Sequence, residues 1–277
     1  MKLIETIGRK NSGNFVIEAD NIIALRYLTE QYKGSIDVIT IDPPYNTEIS
    51  YIGYKDSSYS EGWSNYIKER LCIAKELLSP TGVIFINIDE NELTSLMDAC
   101  RSLFGFENVN ILIWPKIDPK FDQNRVEKPF HNIKSAHEYI VLCYMDKKNT
   151  HFSCMGNGKP METIISGLGT TSSAKDEISE LLGNRLAFST PKPVDLIKEI
   201  IRISSKKDSI VMDFFAGSGT AGHAVMRLNK EDGGKRRFIL ITNNESDICR
   251  KVTVPRLQKS IEKEGFDSGF EFITMIE

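Results

Sequence analysis

Strand-like and helix-like segments alternate along most of the chain. Residues 36–41 and 83–88 are nearly unbroken apolar runs, as expected for strands that are buried on both faces of a parallel sheet. Residues 21–32 instead place apolar side chains at helical spacing. The same patterns predict strands at residues 15–19, 109–114, 138–144, 209–214 and 237–242, and helices at residues 62–78, 90–103, 194–203 and 221–228. This alternation predicts an α/β fold with a doubly wound, mostly parallel sheet and helices on both faces.

Two stretches break the alternation. Residues 145–189 are rich in glycine, threonine and serine and contain one helix-like run, at 175–182. We interpret them as a small insertion in a single domain, between a first part at residues 1–144 and a last part at residues 190–277. Residues 47–61 are polar and rich in tyrosine and serine, which predicts a long loop and a candidate lid over a binding site.

The composition is that of an ordinary globular protein and excludes several classes. Of the 277 residues, 40% are hydrophobic and 26% are charged, which argues against disordered and fibrous proteins. No apolar run reaches the roughly 18 to 20 residues of a membrane span, and the first residues lack the apolar stretch of a signal peptide. Five cysteines without a CxxC pair and four scattered histidines predict reduced thiols, no disulfide scaffold and no metal site. We therefore expect a cytoplasmic protein without a membrane contact.

A glycine-rich turn follows the predicted strand at residues 209–214 and opens the next helix. Gly217, Gly219 and Gly222 match the spacing of the dinucleotide-binding fingerprint. Glu245 follows the next strand, where a carboxylate holds ribose hydroxyls in such sites. A tight turn without a ligand is the alternative interpretation. The whole pattern favours a cofactor that contains a nucleoside, either NAD or S-adenosylmethionine.

Asp213 distinguishes these two cofactors. It stands at the mouth of the turn, where NAD would place its pyrophosphate at the N-terminus of the helix. A carboxylate repels the phosphate charge but attracts the ammonium and sulfonium groups of S-adenosylmethionine. The turn therefore favours S-adenosylmethionine.

The tetrapeptide Asp42-Pro43-Pro44-Tyr45 ends the other buried strand. Ligands bind beyond the carboxyl ends of strands in doubly wound sheets, so the tetrapeptide and the glycine-rich turn are expected to face one cleft. Asp42 and the carbonyl group of Pro43 could accept hydrogen bonds from both N–H groups of an exocyclic amine, which directs the nitrogen lone pair at an electrophile. Tyr45 offers a flat face on which a base could stack. The alternative is a strand-terminating Pro-Pro turn with a capping Asp.

Together these motifs resemble the amino-methyltransferases of DNA, with DPPY as the catalytic motif and residues 215–220 (FAGSGT) as the cofactor motif. DPPY precedes the cofactor motif with an insertion between them, which is similar to the circularly permuted β group. Within that group the chain resembles the modification subunit of type III restriction–modification systems. The matching stretches are 18–21, 39–47, 63–78, 83–89, 137–139, 190–193, 213–220, 241–245 and 254–256.

The resemblance implies a Rossmann-like, S-adenosylmethionine-dependent methyltransferase fold with a seven-stranded sheet, in which one strand is antiparallel. It also implies adenine as the target base, since this family usually begins the tetrapeptide with Asp for adenine and with Ser for cytosine. The residues implied to hold the flipped base are Asp42, Pro43, Pro44 and Tyr45. The residues implied to bind the cofactor are Asp20 at its adenine, Glu245 at its ribose, Asp213, Phe215, Ala216, Gly217, Ser218, Gly219 and Thr220 around its methionine end, and Lys192 and Pro193, which would close the pocket.

Two departures from the family pattern affect these expectations. Ala19 stands where the family usually has Gly, beside the Asp20-Asn21 pair. The inserted region, where the family places its target-recognition domain, has only about 45 residues. A homodimer or a partner subunit is therefore expected to contribute to recognition of the target sequence.

The net charge of −3 argues at first against DNA as a partner, because nucleic-acid-binding faces are usually basic. The basic residues, however, are clustered. Residues 227–237 form one cluster, which is equally well a solvated face. The cluster expected to contact DNA phosphates contains Lys116, Lys120, Arg125, Lys128 and Lys134. A few such contacts give modest and strongly salt-dependent binding.

The sequence therefore predicts an enzyme that methylates the N6 amine of adenine in DNA after extruding the base from the duplex. One alternative is methylation of cytosine at N4. Another is a cofactor-binding subunit that recognises DNA for an active partner. Methylation of RNA or of a glutamine side chain, and an NAD-dependent oxidoreductase, are formally open as well.

Overall fold

One sheet forms the centre of the protein. In the computed structural model, which describes residues 2–47, 50–51, 54–55, 62–118, 133 and 135–275, nine strands belong to this sheet and two short strands form a separate hairpin. The strands are β1 (Lys2–Gly8), β2 (Phe15–Glu18), β3 (Ile36–Ile41), β4 (Ser50–Tyr51), β5 (Tyr54–Lys55), β6 (Leu78–Ile88), β7 (Val109–Pro115), β8 (His137–Tyr144), β9 (Ile210–Asp213), β10 (Arg237–Thr242) and β11 (Gly269–Thr274). The helices are α1 (Asn21–Tyr32), α2 (Trp63–Leu77), α3 (Leu93–Phe104), α4 (Thr171–Leu182), α5 (Val194–Ser204), α6 (Thr220–Asp232) and α7 (Val254–Glu264).

The strand order in the large sheet is β1-β11-β2-β10-β9-β3-β6-β8-β7. The six strands from β11 to β6 run parallel. β8 is antiparallel to both of its neighbours, and β1 is antiparallel to β11. The mostly parallel sheet agrees with the sequence prediction. The described chain has nine strands in this sheet instead of seven and two antiparallel strands instead of one, because the two ends of the chain pair with each other at one side of the sheet.

Neighbouring residues of the central strands face opposite layers, since side chains alternate across a sheet. Val38 and Val211 pack in the same cluster as α5 and α6, whereas Ile39 and Met212 pack with α1, α2 and α3. All four side chains are fully buried. Burial on both faces is the reason why these strands have unbroken apolar sequences.

Residues 145–189 pack directly onto the sheet and its helices. The backbone N–H of Ile113 in β7 donates to the carbonyl oxygen of Thr163, and the N–H of Ile165 donates back to Ile113, both at 2.8 Å. Ile165 is buried in the core cluster that contains α5, and α4 packs against α7. The inserted region is therefore attached along the edge of the sheet, while its boundaries and its role in target recognition stay a prediction.

The sheet reverses its winding between β3 and β9. From β3 the chain continues to β6 on one side, and from β9 it continues to β10 on the other side. The two strands pair in parallel with Ile39 beside Met212, so Asp42 and Asp213 follow at the same carboxyl edge. In doubly wound sheets, ligands bind in this crevice.

Candidate active site

A cavity of about 230 Å³ lies beyond the carboxyl ends of β3 and β9. Residues of both sequence motifs line it, so the fold brings two distant stretches of chain to one site. The predicted site residues in its lining are Asp20, Asp42, Pro44, Lys192, Asp213, Phe215, Ala216, Gly217, Ser218, Thr220 and Glu245. The predicted site residues that do not belong to its lining are Pro43, Tyr45, Pro193 and Gly219.

The glycine-rich turn takes a backbone shape that other residues rarely adopt. Gly217 has a φ of +46°, and Gly219, which caps the N-terminus of α6, has a φ of +79°. A Cβ atom on Gly217 would lie 2.9 Å from the ring of Phe188, which also lines the cavity. The Oγ1 of Thr253 donates to the carbonyl oxygen of Gly217 at 2.5 Å. The glycines therefore let the backbone approach an aromatic ring and the cavity at the same time.

A buried arginine holds this turn in place. The Nη1 of Arg256 donates to the Oγ of Ser218 and to the Oγ1 of Thr220, both at 2.8 Å. Its side chain is fully buried, and burial lowers the pKa of the guanidinium to about 10, although Glu177 lies 3.8 Å from Nη2. Residues 254–256 are among the stretches that carry the family resemblance, but the sequence does not predict this role, because burial of an arginine on a helix leaves no local signal.

Asp213 supplies a buried carboxyl group at the cavity. Its Oδ1 accepts a hydrogen bond from the backbone N–H of Phe215 at 3.0 Å. Burial raises the pKa of Asp213 to about 8, and the nearby charge of Asp42 contributes in the same direction. A cationic group placed beside this carboxyl would favour its ionised form. The position therefore suits the positively charged end of a ligand.

Another wall of the cavity comes from α1 and α2. Asp20 caps α1, lines the cavity and lies 3.7 Å from the Nη2 of Arg70. The Nε of Arg70 donates to the Oδ1 of Asn21 at 2.6 Å, and its guanidinium carbon lies 3.6 Å from the ring centroid of Tyr66. Asn21 donates in turn to the carbonyl oxygen of Phe214 at 3.1 Å. Arg70, which sequence reasoning did not single out, thus connects α1 and α2 to the glycine-rich turn.

Glu245 lies where the fingerprint predicts a ribose-binding carboxylate. It begins a short 3-10 turn, Glu245–Asp247, shortly after β10 and lines the cavity. Ser246 and Asp247 in this turn have φ angles of 51° and 61°. Residues other than glycine adopt this conformation rarely, and often at functional sites. The turn holds Glu245 at the same carboxyl edge as Asp213.

The tetrapeptide leaves β3 in a fixed direction. The Nε1 of Trp63 donates to the carbonyl oxygen of Pro44 at 2.6 Å. The carboxylate of Asp42 accepts two hydrogen bonds, one from the Tyr45 hydroxyl to Oδ1 and one from the Lys192 ammonium to Oδ2, each at 2.6 Å. Lys192 was expected to close the cofactor pocket. The structure places it in the cavity lining but directs its ammonium to the tetrapeptide.

A second carboxylate shares these two donors. Glu138 of β8 is buried, and its Oε2 accepts from the Tyr45 hydroxyl at 3.1 Å and lies 3.3 Å from the Nζ of Lys192. Its Oε1 lies 3.6 Å from the Nζ of Lys116. Sequence reasoning used residues 137–139 for the family resemblance without a role for Glu138. Asp42, Tyr45, Glu138, Lys192 and Lys116 are called the ion cluster below.

The pKa values in the ion cluster follow from burial and from neighbouring charges. Burial raises the pKa of Asp42, and Lys192 offsets this only in part. Burial also acts to raise the pKa of Glu138, but Lys192 and Lys116 outweigh it and hold this pKa below its usual range. For Lys192, burial favours the neutral amine, but the two carboxylates reverse this and raise its pKa. Glu138 and Lys192 are therefore an ionised pair, and burial raises the pKa of Tyr45 so that its hydroxyl stays a donor.

Lys116 is the one member of the predicted phosphate-contacting cluster that the described residues include. A quarter of its side chain is exposed, and its ammonium pairs with Glu138. In the second basic cluster, residues 227–237, Arg227 and Arg236 pair with carboxylates of the chain itself. This pairing favours a role in stabilising the fold over contact with DNA. Most of the predicted lid at residues 47–61 lies outside the described residues, as do Lys120, Arg125, Lys128 and Lys134.

Three further expectations concern metal, thiols and membranes. Within the described residues, no group of histidine, cysteine and acidic side chains is arranged to hold a metal ion. The five cysteines are free thiols. No helix in this part of the chain is long and apolar enough to cross a membrane.

Comparison with known proteins identifies the family. A family model described as DNA methylase matches residues 36–253, which contain both motifs. This chain belongs to that DNA methylase family. The resemblance to DNA amino-methyltransferases, predicted from the tetrapeptide and the glycine-rich turn, is confirmed.

The relatives place the chain more closely within this family. It is similar to the Mod subunit of the type III restriction-modification enzyme StyLTI of Salmonella typhimurium, with 27% identity over 86% of this chain and 53% of the relative. The predicted resemblance to type III modification subunits is therefore confirmed. The chain spans about half the length of the curated relatives it matches.

Two solved structures share the fold. A crystal structure of an M1.HpyAVI–SAM complex has a TM-score of 0.57 and 20% identity, covering 87% of this chain and 98% of that one. The cytosine-N4-specific PvuII DNA methyltransferase has a TM-score of 0.61 and 14% identity, covering 91% of this chain and 89% of that one. These likenesses confirm the predicted doubly wound α/β fold class. Such low identities concern the fold alone.

Proposed function

We propose that this chain transfers a methyl group from S-adenosylmethionine to the N6 amine of an adenine that is flipped out of DNA. The observation that carries the proposal is the pair of carboxyl groups on Asp42 and Asp213, which end adjacent strands and line one cavity. Asp42 is held as an acceptor by Tyr45 and Lys192. Asp213 is buried beside the glycine-rich turn. The first suits an amine, and the second suits a cationic cofactor.

The residues of the cavity fit S-adenosylmethionine. Asp213 would bind the ammonium group at the methionine end, where a pyrophosphate would be repelled. The left-handed angles of Gly217 and Gly219 bring backbone rather than side chain to this end of the cavity. Glu245 would hold the ribose hydroxyls, and Asp20 would contact the adenine. When bound, the cofactor would supply a methyl group on a cationic sulfur: the new N–C bond would form as the C–S bond breaks, the sulfur would leave as a neutral thioether, and the amine would then give a proton to Asp42 or to solvent.

The chain itself would contribute mainly orientation and acceptor placement. An exocyclic amine is a weak nucleophile because its lone pair is delocalised into the ring. Acceptance of its N–H bonds by Asp42 and by the Pro43 carbonyl favours a pyramidal nitrogen. A carboxylate has about four lone-pair sites, so the bonds from Tyr45 and Lys192 leave Asp42 capacity for the amine. Strong general-base catalysis is not needed before attack.

Adenine is favoured over cytosine by the Asp that begins the tetrapeptide and by the similarity to type III Mod subunits. The fold by itself leaves the base open, since the PvuII enzyme with the same fold is cytosine-N4-specific. Methylation of cytosine at N4 is therefore the second candidate function.

Recognition of a DNA sequence is expected to need more than this chain. The chain spans about half the length of the StyLTI and EcoPI Mod subunits, and the predicted insertion at residues 145–189 is short. A second copy or a partner subunit would supply further contacts, and Lys116 with the rest of its basic cluster would contact phosphates. We place the protein in the cytoplasm, where its free cysteines stay reduced.

The proposal is tested by exposing unmethylated DNA to the protein and S-adenosylmethionine, digesting the DNA to nucleosides and identifying the product by mass spectrometry. N6-methyladenine is expected, and N4-methylcytosine would instead establish the second candidate. A wild-type protein that binds the cofactor but modifies neither base contradicts both. The variant Asp42→Ala should bind S-adenosylmethionine in calorimetry and leave the DNA unmodified.

A further inference from the structure

Glu138 has no role in the proposed function, yet it contacts three other members of the ion cluster, Tyr45, Lys192 and Lys116. Its Oε2 lies 3.1 Å from the Tyr45 hydroxyl and 3.3 Å from the Nζ of Lys192. Its Oε1 lies 3.6 Å from the Nζ of Lys116. Glu138 is buried and is not part of the cavity lining. Any effect of Glu138 on the cavity would therefore pass through the residues that it contacts.

The two residues that Glu138 contacts through Oε2 are the same two that hold Asp42. Tyr45 donates to Oδ1 of Asp42, and Lys192 donates to Oδ2. Both donors thus lie between two carboxylates, and the positions of the two carboxylates are linked. The two carboxylates repel each other and divide the three ammonium protons of Lys192, so each carboxylate is held less tightly than it would be if it were the lysine's sole partner.

We propose that Glu138 is a positioning residue for methyl transfer, which shares Lys192 and the Tyr45 hydroxyl with Asp42 and so keeps the free lone pairs of Asp42 directed at the target amine instead of at Lys192. The inference rests on the proposed function. Without the Glu138 carboxylate, Asp42 is the only remaining ion-pair partner of Lys192 in the described chain. Lys192 then competes with the amine for the Asp42 oxygens.

The charges around Glu138 give the inference a pH signature. The groups that face it are Lys192, Lys116, Tyr45, Asp42 and Asp89. The pKa of Asp42 is raised by burial and, in addition, by the negative charge of Glu138. The pKa of Asp89 is raised to about 6, mainly by burial, and the charge of Glu138 contributes in the same direction. Removal of the charge therefore lowers both values. The acid limb of the rate profile should move to lower pH.

The test compares Glu138→Gln with the matched control Glu199→Gln. The two side chains are 11% and 10% exposed, and each pairs with a basic side chain. Glu199, however, lies on α5 and accepts from Arg202 and from the backbone N–H of Gly156, outside the cavity lining. Single-turnover methylation of a DNA duplex is measured against pH, with cofactor affinity by calorimetry and stability by thermal unfolding.

Glu138→Gln should lower the single-turnover rate about ten- to a hundredfold, as expected for loss of a charged hydrogen-bond partner. Its acid limb should move to lower pH, and cofactor affinity should stay at the wild-type value. Glu199→Gln should change neither the rate nor the pH profile. A wild-type rate and pH profile in Glu138→Gln would overturn the inference.

The measurements distinguish failure of the proposed function from failure of the role of Glu138. A wild-type protein that methylates no base in DNA contradicts the proposed function, whereas equal wild-type and Glu138→Gln activities contradict only the role of Glu138. If Glu138→Gln folds poorly, Glu138→Asp keeps the charge but withdraws the carboxylate by one methylene. It should show a lower rate with an unchanged acid limb. A wild-type rate in Glu138→Asp would also overturn the inference.

Discussion

The glycine-rich turn and the tetrapeptide face the same cavity but are held by different kinds of contact. The turn depends on backbone angles at Gly217 and on hydrogen bonds from a fully buried Arg256. The tetrapeptide depends on the ion cluster, in which Asp42 is linked to Lys192 and Glu138 from distant parts of the chain. Steric fit therefore shapes the glycine-rich turn, whereas paired charges position the tetrapeptide.

This difference matches what each side would bind. A cofactor needs a preformed surface, which the turn supplies with backbone and rings at fixed positions. A weakly nucleophilic amine needs acceptors that point in the right direction, and buried acceptors need compensating charges to remain ionised. Changes in the turn should therefore alter cofactor affinity, whereas changes in the ion cluster should alter the rate of transfer.

The largest expected effect comes from Asp42→Asn. This variant keeps the shape of the side chain but removes the charged acceptor for the amine. Methyl transfer under single-turnover conditions should fall about a thousandfold. Cofactor affinity, measured by calorimetry, should stay near the wild-type value. A parallel loss of cofactor affinity would show that the two sides of the cavity are not separable.

Gly217→Ala should lower cofactor affinity and leave the rate of methyl transfer nearly unchanged. A Cβ atom would be strained at a φ of +46° and would lie 2.9 Å from the Phe188 ring. Relief of this contact would displace the turn or the Phe188 ring into the cavity, and a resulting loss of about 1 to 3 kcal/mol in binding corresponds to about five- to 150-fold in cofactor affinity. The transfer rate at saturating cofactor should change little.

Gly158→Ala is the matched control for this variant. Gly158 also has a left-handed φ, of +77°, but nothing lies within 4 Å of its Cβ position and it is not part of the cavity lining. It should leave cofactor affinity unchanged. Equal losses in both variants would mean that cofactor affinity responds to backbone strain anywhere in the protein and not to the contact of residue 217 at the cavity.

The pH dependence of cofactor binding should report Asp213. With a pKa raised to about 8 from 3.8, the folded protein keeps a proton that the unfolded chain releases between about pH 4 and 8. The free energy of unfolding without cofactor should therefore fall as pH rises through this window. Pairing with a cation requires loss of the proton, so affinity should rise with pH toward about 8, by up to about tenfold per unit.

Asp213→Asn separates this effect from titration of the ligand itself. The asparagine variant cannot titrate at this position, so its affinity should be lower at pH 8 and nearly independent of pH below that value. Calorimetry in buffers of different ionisation enthalpy should also show proton release on binding for the wild type alone. Identical pH profiles for the two proteins would contradict a cationic partner for Asp213.

The smallest effect is expected from Lys116→Met. Its pairing with Glu138 spans 3.6 Å with a quarter of the lysine side chain exposed, so the loss should be at most about fivefold in rate. A phosphate contact would add a second signature, because the slope of DNA affinity against salt concentration should decrease by about one. An unchanged slope would restrict Lys116 to the ion cluster.

The hydrophobic pattern predicted the central strands and helices well and the ends of the chain poorly. β3 and β9 are buried on both faces, so their sequences carry an unambiguous signal. β1 and β11 have shorter apolar stretches, and they join the sheet through long-range pairing, β1 with β11 and β11 with β2. The pairing of such distant segments has no local signature. The sheet is therefore wider than the pattern predicted.

The sequence likewise predicted some features of the cavity and not others. Local order was enough to predict that Asp42 and Asp213 follow buried strands and that the glycines form a special turn. It was not enough to show that Lys192 reaches Asp42, that Glu138 shares its donors, or that Arg256 is buried under the turn. These contacts join residues that are far apart in the chain.

The sequence by itself determined the fold class, the family and the two motifs, because periodicity and short-range residue order are properties of the chain alone. Only the tertiary structure decided which charges meet. β8 lies antiparallel between β6 and β7, and this arrangement brings Glu138 and Lys116 to the end of the sheet where the tetrapeptide leaves β3. Charge pairing depends on distances of a few ångströms, and the order of strands sets those distances.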